Sequence, residues 1–84
     1  MNMNFTMELG GSPSHGGLKV EVEFEYHPAY CEAEDIFAYV YAQPVYPSVG
    51  MARMDVFEYL SQFWQDEIWE ACLAYGIDNA LRLL

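Results

Sequence analysis

Three glutamates, Glu21, Glu23 and Glu25, alternate with Val20, Val22, Phe24 and Tyr26 along the stretch LKVEVEFEY, from Leu18 to Tyr26. Alternate residues of an extended chain share a face, so these carboxylates form a row spaced about 6.7 Å apart. Neighbours in such a row repel by about 0.6 kcal/mol at the dielectric constant of water, and by roughly four times that at an effective value of 20. The row must therefore be solvated. Its chemistry is attraction: it can draw cations or a basic protein surface, or stand in for the phosphates of a nucleic acid. Duplex DNA carries a charge every 1.7 Å or so of its axis, so one row is too sparse by itself. Glu32, Glu34 and Asp35 would have to fold beside it to make a protein-binding face. The simpler account is the ordinary polar face of a half-buried antiparallel sheet.

Other reactive side chains make weaker patterns. His27 and Cys31 stand four apart and precede Glu32 and Glu34, a spacing that could contribute to a metal site. Structural zinc sites want four ligands, mostly Cys and His, and His15 lies apart in a glycine-rich stretch, so neither a metal nor another cofactor is expected. No nucleophile elbow, phosphate-binding loop or H-E-x-x-H helix occurs. Paired carboxylates are too common in so acidic a chain to mark a catalytic pair, and the expected protein is not an enzyme.

Thirteen Asp and Glu against three Lys and Arg leave 84 residues with a formal net charge of -10. Binding to a phosphate backbone needs clustered basic residues, so direct nucleic-acid binding is excluded as an expectation. A 54% hydrophobic and 17% aromatic composition argues against disorder. Cys31 and Cys72 are read as free thiols of an intracellular chain. With no apolar run near the roughly 20 residues of a membrane span, the expected location is the cytoplasm.

The elements that must position these residues follow from periodicity. Met3, Phe5, Met7 and Leu9 alternate with Asn2, Asn4, Thr6 and Glu8, a first strand with one buried face. GGSPSHGG, residues 10–17, is a connection. The second strand is Leu18 to Tyr26, ended by His27 and Pro28. An acidic connection covers residues 29–35, and IFAYVYA, residues 36–42, reads as a central strand. QPVYPSVG, residues 43–50, excludes helix through Pro44 and Pro47.

Asp55 and Glu58 give a capping signal for a helix, with a pause near 62–65 and a second start at Asp66 and Glu67. Trp69, Leu73, Ile77, Ala80 and Leu84 trace a helical stripe that Ile68 and Cys72 widen. Gly76 reads as a C-cap that divides this segment. The expectation is an α+β fold: a three-stranded antiparallel sheet followed by C-terminal helices packed on one face, in a single domain over residues 1–84. The aromatic residues Tyr39, Tyr41, Tyr46, Phe57, Tyr59, Phe63, Trp64, Trp69 and Tyr75 mostly fill the core, with Tyr46, Tyr59 and Trp64 expected at the surface.

LKVEVEFEYHPA, a loop, an apolar strand, and D-V-F-E-Y-L-S running into IWEACLA together resemble a type of short acidic protein common in bacteriophage genomes, over Leu18 to Tyr75. Some small acidic phage proteins inhibit host defence, including anti-CRISPR and anti-restriction proteins, and several mimic nucleic acid. The resemblance implies a non-enzymatic protein that binds and inhibits a host or phage protein with a basic surface, occupying a nucleic-acid-binding surface. The alternative is a structural or assembly module that forms a homo-oligomer, its acidic face serving solubility.

Overall fold

The computed structural model describes residues 1–11, 16–42 and 52–82. The expectations for residues 43–50, His15, Tyr46 and Leu84 fall outside them. Four strands form one antiparallel sheet in sequential order: β1 (Asn2–Leu9), β2 (Leu18–His27), β3 (Glu32–Ala42) and β4 (Ala52–Asp55). A 3-10 turn, Phe57–Tyr59, leads to one helix, α1 (Gln62–Arg82).

The alternation in β1 and β2 sets their register. Met3, Phe5, Met7 and Leu9 stand opposite Phe24, Val22, Val20 and Leu18, so both apolar rows share the inner face. Val20, Val22, Phe24 and Tyr26 are buried with Leu9 and Ala38, and Ile68 and Cys72 of α1 close the core over them. Each such aliphatic or aromatic side chain removed from water contributes about 1.5–3 kcal/mol. Leu18, at the start of β2, is instead 38% exposed, because a strand end lacks a neighbour on one side.

The hairpin between β2 and β3 is tighter than the acidic connection read from sequence. Tyr30 N–H donates to the His27 carbonyl at 3.2 Å, which places Pro28 at the second position of a β-turn, where its fixed φ is suited. Cys31 follows with φ 51°, and β3 already begins at Glu32.

Four strands rather than three is the first correction. ARMD, residues 52–55, carries little strand propensity, and it pairs as an edge because β3 offers a partner, Tyr39 opposite Asp55 and Tyr41 opposite Arg53. Asp55 therefore closes a strand and does not open a helix. One Asp55 carboxylate oxygen accepts from Ala38 N–H at 3.0 Å and from Phe57 N–H at 3.1 Å, which turns the chain off the sheet. The helix starts at the predicted pause: the Ser61 hydroxyl accepts from Trp64 N–H at 3.3 Å as an N-cap.

One continuous helix replaces the expected helices. It runs through Gly76, which is buried, and it packs over β2 and β3. The buried stripe is rotated from the predicted one: Ile68, Cys72 and Gly76 face the sheet, with Leu73, Tyr75 and Ala80 half-buried. Trp69 and Ile77 remain 47% and 45% exposed. Tyr75 stacks on Phe5 with ring centroids 5.0 Å apart, and Phe24 meets both rings edge-on. No helix among the described residues is long and apolar enough to cross a membrane.

Candidate functional site

The outer face of the sheet, opposite α1, gathers the predicted acidic residues. Glu21, Glu23 and Glu25 lie along β2, all half-buried. Glu34 pairs with Glu25 and Glu32 with His27 on the adjacent strand, so these two acids share the face of the row.

A single irregularity in β3 makes this possible. Glu21 and Glu23 pair with Tyr39 and Phe37, but past Glu23 the register slips by one residue, so that Glu25 meets Glu34. A slip of one residue exchanges the faces of a strand. Without it the even-numbered Glu32 and Glu34 would point to the core, on the opposite side from Phe37, Tyr39 and Tyr41. Asp35 absorbs the extra residue with φ 51°, a left-handed conformation that aspartate tolerates better than most side chains. Asp35 is exposed and lines, with Glu23, Glu25, Phe37, Asn2, Asn4, Met3 and Phe24, an open depression of about 510 Å³.

Aromatic rings share this face, which corrects the expectation that Tyr39 and Tyr41 fill the core. Phe37 and Tyr41 are exposed, Tyr39 is half-buried, and the Phe37 and Tyr39 rings stack at 6.1 Å. Their odd numbering against inward Ala38 and Val40 was a legible period-two signal, obscured by a segment apolar on both sides. Tyr59 is exposed as expected, whereas Trp64 is half-buried against the core.

Arg53, which the sequence did not single out, stands at the centre. Its guanidinium lies 4.1 Å from the centroid of the Tyr39 ring and bridges Glu23 at 3.0 Å and Glu21 at 3.7 Å. The Glu23 hydrogen bond holds the guanidinium above its ordinary pKa. Tyr41 donates its hydroxyl to Glu21; that bond, with some burial, raises the Tyr41 phenol above its usual value, and Arg53 opposes the shift. A second depression, of about 400 Å³, lies beside this pair, lined by Thr6, Lys19, Val20, Glu21 and Tyr41.

The six acids are thus divided. Glu21 and Glu23 are tied to Arg53, whereas Glu25, Glu32, Glu34 and Asp35 collect at the hairpin end. There His27 Nε2 lies 3.2 Å from Glu34. The Cys31 thiol, the other half of the predicted metal pair, donates to the Pro28 carbonyl at 3.8 Å. Among the described residues no group of three or more His, Cys, Asp or Glu is arranged to hold a metal ion. Cys31 is exposed and Cys72 buried, both as free thiols.

Fold and face together describe an α+β protein with one sheet surface covered by a helix and the other left acidic and aromatic. No family model matches the chain, and no curated protein or solved structure matches it.

Proposed function

We propose that this chain is a non-enzymatic binding protein whose acidic sheet face docks a basic surface of another protein and blocks it. The observation that supports this reading is the depression bounded by Glu23, Glu25 and Asp35 with Phe37 at its wall. Carboxylates beside an aromatic ring suit an arginine or lysine side chain, which gains charge-assisted hydrogen bonds and a cation–π contact together. Glu32 and Glu34 extend the attraction along the hairpin and would steer a basic partner inward.

Duplex mimicry in the strict sense is a poor fit. Over the ~13 Å from Glu21 to Glu25 a duplex presents roughly eight phosphates, whereas Glu21, Glu23, Glu25, Glu32, Glu34 and Asp35 supply six carboxylates, two of them engaged by Arg53. Docking a few basic side chains of a nucleic-acid-binding site asks for less. The resemblance to short acidic phage proteins makes host defence proteins, anti-CRISPR targets among them, the class of partner to test first.

The test is capture from bacterial lysate on the immobilised chain, in parallel with the Glu23→Gln, Glu25→Gln, Asp35→Asn triple variant. A partner that nucleic acid displaces, that elutes as salt rises, and that the triple variant fails to retain supports the reading. Equal retention by both chains would remove the acidic face from the account.

A further inference from the structure

Among the described residues β1 is the longer of the two edge strands and the less guarded, and we propose that it pairs with β1 of a second copy to give a two-fold dimer with one continuous eight-stranded sheet. The inference is independent of the acidic face. Edge strands are ordinarily guarded by Lys, Pro, bulges or brevity, because their unpaired N–H and C=O groups template strand addition. β1 has eight residues, no proline, no bulge and no basic residue, and Glu8 is its one charge. Among the described residues no strand pairs with its outer side.

The edge is aimed outward by polar residues. Met1 and Tyr26 exchange both backbone bonds, at 2.8 and 3.1 Å. Antiparallel pairs alternate between bonded and non-bonded, so Met3, Phe5 and Met7 bond β2 and the backbone groups of Asn2, Asn4, Thr6 and Glu8 face the open side. A second β1 crossing antiparallel with Phe5 on the two-fold axis matches this pattern. Asn4 then meets Thr6, Asn2 meets Glu8, and Met3 meets Met7. Registers displaced by one residue would set the inner row of one copy against the outer row of the other, and those displaced by two form three hydrogen-bonded pairs where this one forms four.

Charge and apolar cover select a second copy as the occupant. On a chain of net charge -10, β1 is a nearly uncharged spacer. In the dimer the two β2 glutamate rows stand three strand spacings apart, about 14 Å, beyond the ~8 Å screening length at physiological salt. A basic strand would find no acids on Asn2, Asn4 or Thr6 to pair with. On the inner face, α1 lies over β2 and β3 and reaches β1 through Tyr75, stacked on Phe5, and Met3, Phe5 and Met7 stay half-buried. The partner's Met3, Phe5 and Met7 would complete that cover.

Sedimentation of the full chain at micromolar concentration should give twice the 9.7 kDa protomer mass. Pairing Asn4 with Thr6 makes the register testable by charge. Asn4→Lys with Thr6→Lys places lysine against lysine twice and should weaken dimerisation tenfold or more. Asn4→Lys with Thr6→Glu places opposite charges together and should restore it. Both positions are exposed, and circular dichroism with thermal unfolding verifies that each variant folds. A parent chain that stays monomeric to hundreds of micromolar, larger open-ended assemblies, or equal dimerisation by the two double variants would overturn the proposal. So would a monomer whose β1 binds a different strand.

Discussion

The backbone of Gly76 lies against the ring of Tyr26, so closely that a Cβ at Gly76 would stand 2.5 Å from Cδ2 and 2.7 Å from Cγ of the tyrosine. Tyr26 is 1% exposed and ends the buried row of β2. Helix α1 can settle on the sheet because position 76 has no side chain. Gly76→Ala gains about 1 kcal/mol of helix propensity, yet it forces a packed ring aside at a cost of typically 1–3 kcal/mol. The expected outcome is a lower urea midpoint at unchanged m-value; a more stable variant would show that the ring yields freely.

Asp55 holds the chain where it leaves the sheet, one carboxylate oxygen serving two backbone donors. Removing it strands both N–H groups in a half-buried place. Asp55→Ala should cost about 1–3 kcal/mol, and Asp55→Asn, which keeps an acceptor oxygen, should recover part of that loss. Equal stability of the alanine and asparagine variants would remove the acceptor from the explanation.

The left-handed φ of Asp35 makes residue type at the bulge consequential. Asp35→Gly should hold stability, whereas Asp35→Val should lose about 1–2 kcal/mol through its disfavoured left-handed backbone. Chemical denaturation of both variants ranks them, and a valine variant as stable as the glycine one would mean that the bulge relaxes.

The two thiols should behave oppositely. Cys31 is exposed and Cys72 fully buried, so a maleimide should modify one thiol in the native chain and two after denaturation. Burial pushes the Cys72 thiol from 9.0 up to about 12. With the folded value raised, its contribution is fully present below pH ~9 and declines by about 1.4 kcal/mol per pH unit as pH rises toward 12. Burial raises the Tyr26 phenol as well, with the Cys31 thiol adding to the shift, and this loss has the same sign. Urea midpoints between pH 8 and 11 should fall less steeply for Cys72→Ala than for the parent; parallel slopes would exclude the thiol.

Tyr41 reports on the acidic face. Its phenol is raised chiefly by donating to Glu21, so Glu21→Gln should bring its alkaline titration back toward the ordinary tyrosine value, as read by absorbance near 295 nm. An unmoved titration would mean that the bond is not kept in solution.

The period-two rows of β1 and β2 were legible except at Leu18, which is exposed at its strand end, because a strand in contact with a core on one side repeats every second residue. The same rule placed Glu21, Glu23 and Glu25 on the face away from the core. The helical segment was legible as helix, but its phase was not: Trp69 and Ile77 are as apolar as Ile68 and Cys72, and which of them faces the sheet depends on where Gly76 allows the helix to approach Tyr26. Likewise the Asp55–Glu58 spacing imitates a cap, and only the nearness of Ala38 N–H commits Asp55 to ending a strand.

What the sequence determined by itself is the set of local repeats: an α+β order of elements, the buried row of β2 and the acidic row behind it. What only the tertiary structure decided is how those rows meet their neighbours. Whether Glu32 and Glu34 join the acidic row turns on one slipped register beside Asp35, and whether that row stands unopposed turns on Arg53, thirty residues from Glu23 in sequence and 3.0 Å from it in space. Local periodicity is a property of the chain alone, whereas register and cross-strand charge pairing arise between strands.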